Sequence, residues 1–156
     1  MSLEQELKTE QVTHLDLTGF CMVASGTAVQ DTLNAMRQHN VNVCIVTAGE
    51  HLAGIFTDRD VLGRVATHND LLTQPIDTVM TPAPITVGPE TSAAAALWLM
   101  DAKGIRNLPV VDEDGRILGV MTHQAVIHYL AARYPIEVQN RSPHPEQFPR
   151  KPEGGD

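Results

Sequence analysis

The sequence predicts an α+β fold: two repeated β-α-β-β-α units packed sheet to sheet. Three observations carry that expectation. Gly54, two apolar residues and Thr57 return as Gly119, Val120, Met121 and Thr122. Thr27, Leu33 and Met36 recur as Thr91, Leu97 and Met100, at a shift of 64 residues that holds from Val23/Val87 to Val46/Val110 and becomes 65 after one extra residue in the second hairpin turn. Each half also has the same element pattern, and neither half buries both faces of its sheet alone. A period of this size marks a duplicated unit.

The elements follow in order. Residues 3–12 fit a short amphipathic helix. Phe20-Cys21-Met22-Val23 reads as a brief buried strand, and Ser25-Gly26-Thr27 as a turn with Thr27 as helix cap. Val29, Leu33 and Met36 form one apolar stripe on a helix that Asn40 ends. Residues 41–47 are rich in β-branched side chains, with Val43 and Ile45 on one face and Cys44 and Val46 on the other. Residues 52–56 form the next strand, and residues 58–66 a helix showing Val61, Leu62 and Val65. Pro82 and Pro84 impose extended backbone on the residues before them. Residues 85–87 then read as a strand, Thr91 as the next cap, and Ala93, Leu97 and Met100 as a second stripe ended by Gly104. Residues 106–111 and 117–121 form a hairpin around an aspartate-glycine turn, and residues 124–132 a last helix. The domain reading is a first repeat at 15–68, a linker at 69–77, a second repeat at 78–133 and a polar, proline-rich tail at 134–156, with Phe148 as its one candidate anchor.

Bulk composition narrows the function. A net charge of -8 over 156 residues repels nucleic-acid backbones and anionic membranes at long range, yet allows an anion in a local basic pocket. No apolar run approaches the roughly 20 residues that span a bilayer, and residues 1–11 lack the apolar core of a secretory signal. Cys21 and Cys44, both in apolar segments, read as buried reduced thiols in a cytoplasmic protein. The seven histidines show no metal-ligand spacing. No serine sits in a glycine-framed nucleophile turn, and no phosphate-binding Gly-x-x-x-x-Gly-Lys-Ser/Thr run occurs. An enzyme is not expected.

At the end of the third predicted strand, Thr57 is placed to cap a helix, and Asp58 and Asp60 fall in its first turn, where free N–H groups favour carboxylates. The segments Gly54-Ile55-Phe56-Thr57-Asp58-Arg59-Asp60, Gly119-Val120-Met121-Thr122, Val79-Met80-Thr81 and Ile105-Arg106-Asn107-Leu108-Pro109-Val110-Val111-Asp112 together resemble the cystathionine β-synthase (CBS) domain family, as a stand-alone tandem pair over roughly residues 15 to 133. The resemblance implies that the two units pair around a pseudo-twofold axis, with two clefts between the repeats that often hold AMP, ADP, ATP or S-adenosylmethionine. It also implies a homodimer, and regulation of a partner protein without chemistry of its own.

On that resemblance Asp60 accepts the ribose hydroxyls and Thr57 contacts the sugar or the phosphate end. The adenine would lie between Cys21, Met22, Val23 and Ala24 on one side and Val43, Cys44 and Ile45 on the other. Arg59 and Arg64 are phosphate candidates by charge and reach. The plainer reading of Asp60 is a first-turn carboxylate, and of Arg64 a solvated surface charge. In the second cleft Ala125 stands where Asp60 stood, and losing bonds to the ribose hydroxyls costs roughly 1.5–3 kcal/mol, about tenfold to a hundredfold in affinity. Thr122 remains there, with Arg106 at a basic family position near phosphates and His123 as either a helper or a surface histidine. Asn42 replaces Arg106 in the first unit, so one cleft lending its arginine to the other's ligand is a further reading. Trp98, off its helix stripe, is either a dimer contact or a partly exposed tryptophan. Two functions stay open: an adenosine-ligand sensor acting on a partner protein, or a ligand-free interaction module.

Overall fold

The computed structural model describes residues 2–133. The expected tail and its anchor Phe148 lie outside the described residues. The chain opens with α1 (Leu3–Thr9), capped by Ser2, whose hydroxyl accepts the Gln5 N–H at 3.2 Å. The helix stops short of Val12 because the backbone beyond it is used elsewhere: the Glu10 carbonyl accepts from Ala93 (2.6 Å) and the Val12 N–H donates to Thr91 (2.9 Å). A 3-10 turn, Val12–His14, follows.

The first repeat runs β1 (Cys21–Ala24), α2 (Val29–His39), β2 (Val43–Ala48), β3 (His51–Thr57) and α3, an α-turn (Asp58–Asp60) that widens into a π-helical turn (Val61–Val65). This differs from the regular helix that the sequence predicts over 58–66, and in the observed turn Val65 is buried and Leu62 is exposed. Two further 3-10 turns, Asn69–Thr73 and Ile76–Thr78, lead to β4 (Thr81–Pro82). The second repeat supplies α4 (Ala93–Lys103), β5 (Asn107–Val111), β6 (Ile117–Thr122) and α5 (His123–Arg133). The expected strand at 85–87 reduces to one bridge, Val87 beside Val110, preceded by Ala83 at φ 47 rather than in extended backbone.

The sheet order is β1-β2-β3-β4, with β1 parallel to β2 and the other pairs antiparallel; β5 and β6 form an antiparallel pair. The duplication is visible in the pairing itself. Val23 lies beside Val46 as Val87 lies beside Val110, and both hairpins carry a register shift at the equivalent step, Val46/Thr47 and Val110/Val111.

The segment before each repeat serves the other repeat. Ile76 donates to Thr27 (2.6 Å) and Val29 to Gln74 (2.9 Å), while Val12 donates to Thr91 (2.9 Å) and Ala93 to Glu10 (2.6 Å). Each bond in one set becomes its mate in the other at the same 64-residue offset. Thr27 and Thr91 are thus engaged through their carbonyls, and the helix N-caps fall one residue later, at Ala28 and at Ser92, whose hydroxyl accepts the Ala95 N–H at 3.0 Å. Val12 and Leu15 enter the core of the second repeat with Met100, Leu108 and Val110; Ile76 and Val79 enter that of the first with Met36, Cys44 and Phe56.

A third cluster joins the repeats: Val43, Ile45 and Ile55 against Val120. The predicted alternation of β2 holds, because Cys44 and Val46 face the helix-side core while Val43 and Ile45 face the other repeat. The recurring glycine marks where the exchanged segments cross. A Cβ on Gly54 would stand 2.9 Å from the Thr81 carbonyl oxygen, and one on Gly119 would stand 2.8 Å from that of Leu17.

Candidate functional site

The exchange brings the start of α3 against the beginning of the second repeat. There the molecule has a cleft of about 670 Å³, within the range usual for small-molecule sites. Thr57, Arg59 and Asp60 line one side. Ile55, Ala83, Pro84, Ile85 and Ile105 supply apolar surface, and Arg106 and Asn107 close the far end.

Asp60 is 8 % exposed, one of the buried polar side chains of the chain. Its Oδ2 accepts the Thr57 N–H at 3.0 Å and the Thr57 hydroxyl at 3.3 Å, so the carboxylate is held in a fixed orientation by the residue that begins the helix. Arg64 approaches Oδ1 at 3.8 Å through Nε. An ionised carboxylate offers about four lone-pair sites, so acceptor capacity remains on the cleft side. Arg64 does not line the cleft: its Nη1 donates to the Val79 carbonyl (2.8 Å) and the Met80 carbonyl (3.2 Å). It ties α3 to the segment leading into β4. Arg59 does line the cleft, with only a long contact from Nη1 to the Gly104 carbonyl at 3.5 Å.

A second cleft of about 450 Å³ is the pseudo-twofold mate of the first. Thr122, His123 and Gln124 line it from the start of α5, and Gly19, Asn42 and Val43 from the first repeat. The Thr122 hydroxyl accepts the Ala125 N–H at 3.0 Å and caps the helix. Asp58 donates its N–H to Asn42 (3.0 Å) as His123 donates to Arg106 (3.1 Å), so each helix start is fixed to the strand entry of its own repeat.

The structure therefore brings Thr57, Arg59, Asp60 and Arg106 together, and Val43, Thr122, His123 and Arg106 together. It places the other expected residues elsewhere. Cys21 and Cys44 are buried in the first repeat's core and Ile45 between the sheets; Val23 is half-buried against that core, and Met22 and Ala24 are exposed. The reason is the crossing of the repeats. The wall facing Asp60 comes from the opposite repeat, where Ile85 and Asn107 stand 64 positions after Cys21 and Val43. Applying the repeat shift to the adenine wall would have found both. Burial pushes both thiols up, and Cys21 beside Cys44 adds to the effect there. Among the described residues no cluster of His, Cys, Asp or Glu is placed to hold a metal ion, and no described helix is long and apolar enough to cross a membrane.

A duplicated β-α-β-β-α pair with two related clefts between the repeats defines a class of tandem-repeat module. The sequence matches the family described as CBS domain over residues 14–67 and 76–132, and the chain belongs to that family. Modules of this family are regulatory and non-catalytic. The chain is 37% identical over 101 residues to an inosine-5'-monophosphate dehydrogenase from Korarchaeum cryptofilum, a match covering 65% of this chain and 20% of that protein. The chain spans between about a fifth and just over half of the length of five curated relatives that it matches. Among solved structures it is similar to CBSX2 in complex with AMP (TM-score 0.69, 26% identity, 80% of this chain and 98% of that one). It also shares the fold of the CBS domain pair of protein MJ0100 in complex with 5'-methylthioadenosine and S-adenosyl-L-methionine (TM-score 0.64, 20% identity, 83% and 99%).

Proposed function

We propose that this chain is a regulatory module that binds one adenosine-containing ligand in the larger cleft and passes the change to a partner protein. The observation that carries the reading is Asp60: a nearly buried carboxylate, held by Thr57, opening into a cleft with apolar walls and two arginines. A ribose needs acceptors for vicinal hydroxyls, and burying those hydroxyls unpaired costs binding energy. Asp60 supplies acceptors already oriented. The branched side chains of Ile85 and Ile105 suit the faces of a purine. The AMP complex of CBSX2 supports the ligand class. Two buried free thiols fit a reducing compartment such as the cytoplasm.

A homodimer belongs to this proposal. On α4, Trp98 is 71% exposed, and Ile127 on α5 is 54% exposed. The equivalent outer face of α2 carries Gln30, Asp31 and Asn34, all exposed, so of these two matched helices α4 has the apolar outer surface, whereas Leu62, the mate of Ile127, is exposed as well. Exposed tryptophan is enriched at interface hot spots.

The test is calorimetry with AMP, ADP, ATP, S-adenosylmethionine and NADH on the wild type and on Asp60→Ala. One binding event per chain is expected, weakened by about tenfold or more in the variant. No binding by any of the five favours the ligand-free interaction module instead.

A further inference from the structure

Arg64 points away from the larger cleft, and its contacts give it a different task. Its Nε stands 3.8 Å from the Asp60 Oδ1, four residues earlier on α3. Its Nη1 donates to the Val79 carbonyl at 2.8 Å and to the Met80 carbonyl at 3.2 Å. One side chain therefore joins the helix start that carries Asp60 to the end of the connection between the repeats. The 3-10 turn of that connection, Ile76–Thr78, is held on its other side by the first repeat. The Ile76 N–H donates to the Thr27 carbonyl at 2.6 Å. The Asp77 carboxylate accepts from the Ser25 hydroxyl and, at 2.7 Å, from the Gly26 N–H. Beyond Met80 the chain runs directly into Thr81, Ala83, Pro84 and Ile85, which line the cleft.

The duplication separates what the fold requires from what the first repeat adds. Both repeats make the backbone bonds of the exchanged segments. The mate of Arg64 is Tyr129, whose hydroxyl is buried with no hydrogen-bond partner among the described residues. It therefore bonds neither the Leu15 nor the Asp16 carbonyl, the mates of the two that Arg64 holds. The mate of Asp77 is Thr13, which has no carboxylate. The helices differ too: α5 stays α-helical through Tyr129, whereas α3 widens into a π-helical turn around Arg64. Such turns are frequent at functional positions. The second repeat reaches the same architecture without the guanidinium, so the Arg64 clamp serves something besides the fold.

We infer that Arg64 is a positioning residue that couples ligand occupancy at Asp60 to the connection at residues 76–80. This rests on the adenosine reading above and adds the route by which occupancy leaves the cleft. A planar guanidinium presents five donors in a fixed fork, enough to serve two carbonyls beside a carboxylate. Opening of the connection drags Arg64, and with it the turn that carries Asp60. A ligand whose ribose holds Asp60 in place makes that opening rarer. Tyr129 gives the second repeat no such link.

The experiment is amide hydrogen exchange by NMR on the wild type, Arg64→Met and Arg64→Lys, without AMP and with AMP at about ten times its Kd. If AMP does not bind, the probe is the tightest binder among ADP, ATP, S-adenosylmethionine and NADH. The Val79 and Met80 N–H groups, both donating to the Ile76 carbonyl at 3.0 Å, report the connection, and neither residue lines the cleft. The Leu15 N–H, donating to Val12 at 3.1 Å, is the control from the second repeat. In the wild type, AMP is expected to slow exchange at Val79 and Met80 by about threefold to tenfold and to leave Leu15 unchanged. Arg64→Met should bind AMP within about tenfold of the wild type and lose the slowing. Arg64→Lys, which keeps the charge and three donors, should restore part of it. A merely structural role would speed exchange equally with and without AMP and keep the ratio, which overturns the inference. So does a wild type that binds AMP through Asp60 without slowing at Val79 and Met80; the adenosine site then stands. Should Arg64→Met fail to fold or to bind, Arg64→Lys carries the comparison, and undiminished slowing there overturns the inference. Binding by none of the five ligands, or unchanged affinity in Asp60→Ala, removes the adenosine reading and this inference together.

Discussion

Adding one methyl group at Gly119 tests how closely the exchanged segments cross. Gly119 lies in β6 opposite Val110, and on its other side runs Leu17. A Cβ there would overlap the Leu17 Cβ and stand 2.8 Å from its carbonyl oxygen. Both obstacles are backbone or next to it, so no side-chain rotation relieves them. Overpacking of this kind costs about 2–3 kcal/mol. The Leu17 segment can retreat only by stretching the bond in which its carbonyl accepts the Val120 N–H at 3.0 Å, worth about 1 kcal/mol. Alanine recovers roughly 0.5–1 kcal/mol of strand entropy relative to glycine. The net loss for Gly119→Ala is about 2–3 kcal/mol, or a fall in Tm of roughly 5–10 °C at this chain length. Gly63→Ala is the control, since nothing lies within 4 Å of its added Cβ. A thermal melt by circular dichroism reads both. If Gly119→Ala melts within about 2 °C of the wild type, the tight crossing and the explanation of the repeated glycine are wrong.

Two further outcomes are expected. Alkaline conditions should destabilise the protein: thiols in the unfolded chain ionise near pH ~8.5, while burial keeps those of Cys21 and Cys44 protonated in the folded state. Stability is then constant below that pH and falls as pH rises, so the urea midpoint should drop between neutral pH and about pH 9.5, with a shallower slope in Cys44→Ala; an equal slope in the variant would exclude the thiols as the cause. Trp98→Ala should weaken self-association by about tenfold or more in sedimentation equilibrium, and an unchanged dimer constant would place the interface away from α4.

Much of the fold is legible because its signals are local. Gly54 and Gly119, the stripes at Val29/Leu33/Met36 and Ala93/Leu97/Met100, and the left-handed helix ends at Asn40 and Gly104 each follow from residue chemistry within one element. The duplication reaches back further than those signals. Val12 and Leu15 are mates of Ile76 and Val79, but they sit in short turns with no glycine or stripe to announce them. Which repeat faces which cleft is a tertiary fact. Asp60 and Thr57 are legible as a helix start, whereas the apolar wall opposite them comes from Ile85 and Ile105 because the segments exchange partners. The widening of α3 into a π-helical turn leaves no mark in the apolar spacing of Val61, Leu62 and Val65.

The most direct test of the account is a crystal structure of this protein with AMP bound. The account predicts the ribose hydroxyls within about 3.2 Å of the Asp60 carboxylate, the adenine between Ile85 and Ile105, and the phosphate directed toward Arg106. A nucleotide bound elsewhere, or one whose ribose faces away from Asp60, would contradict it.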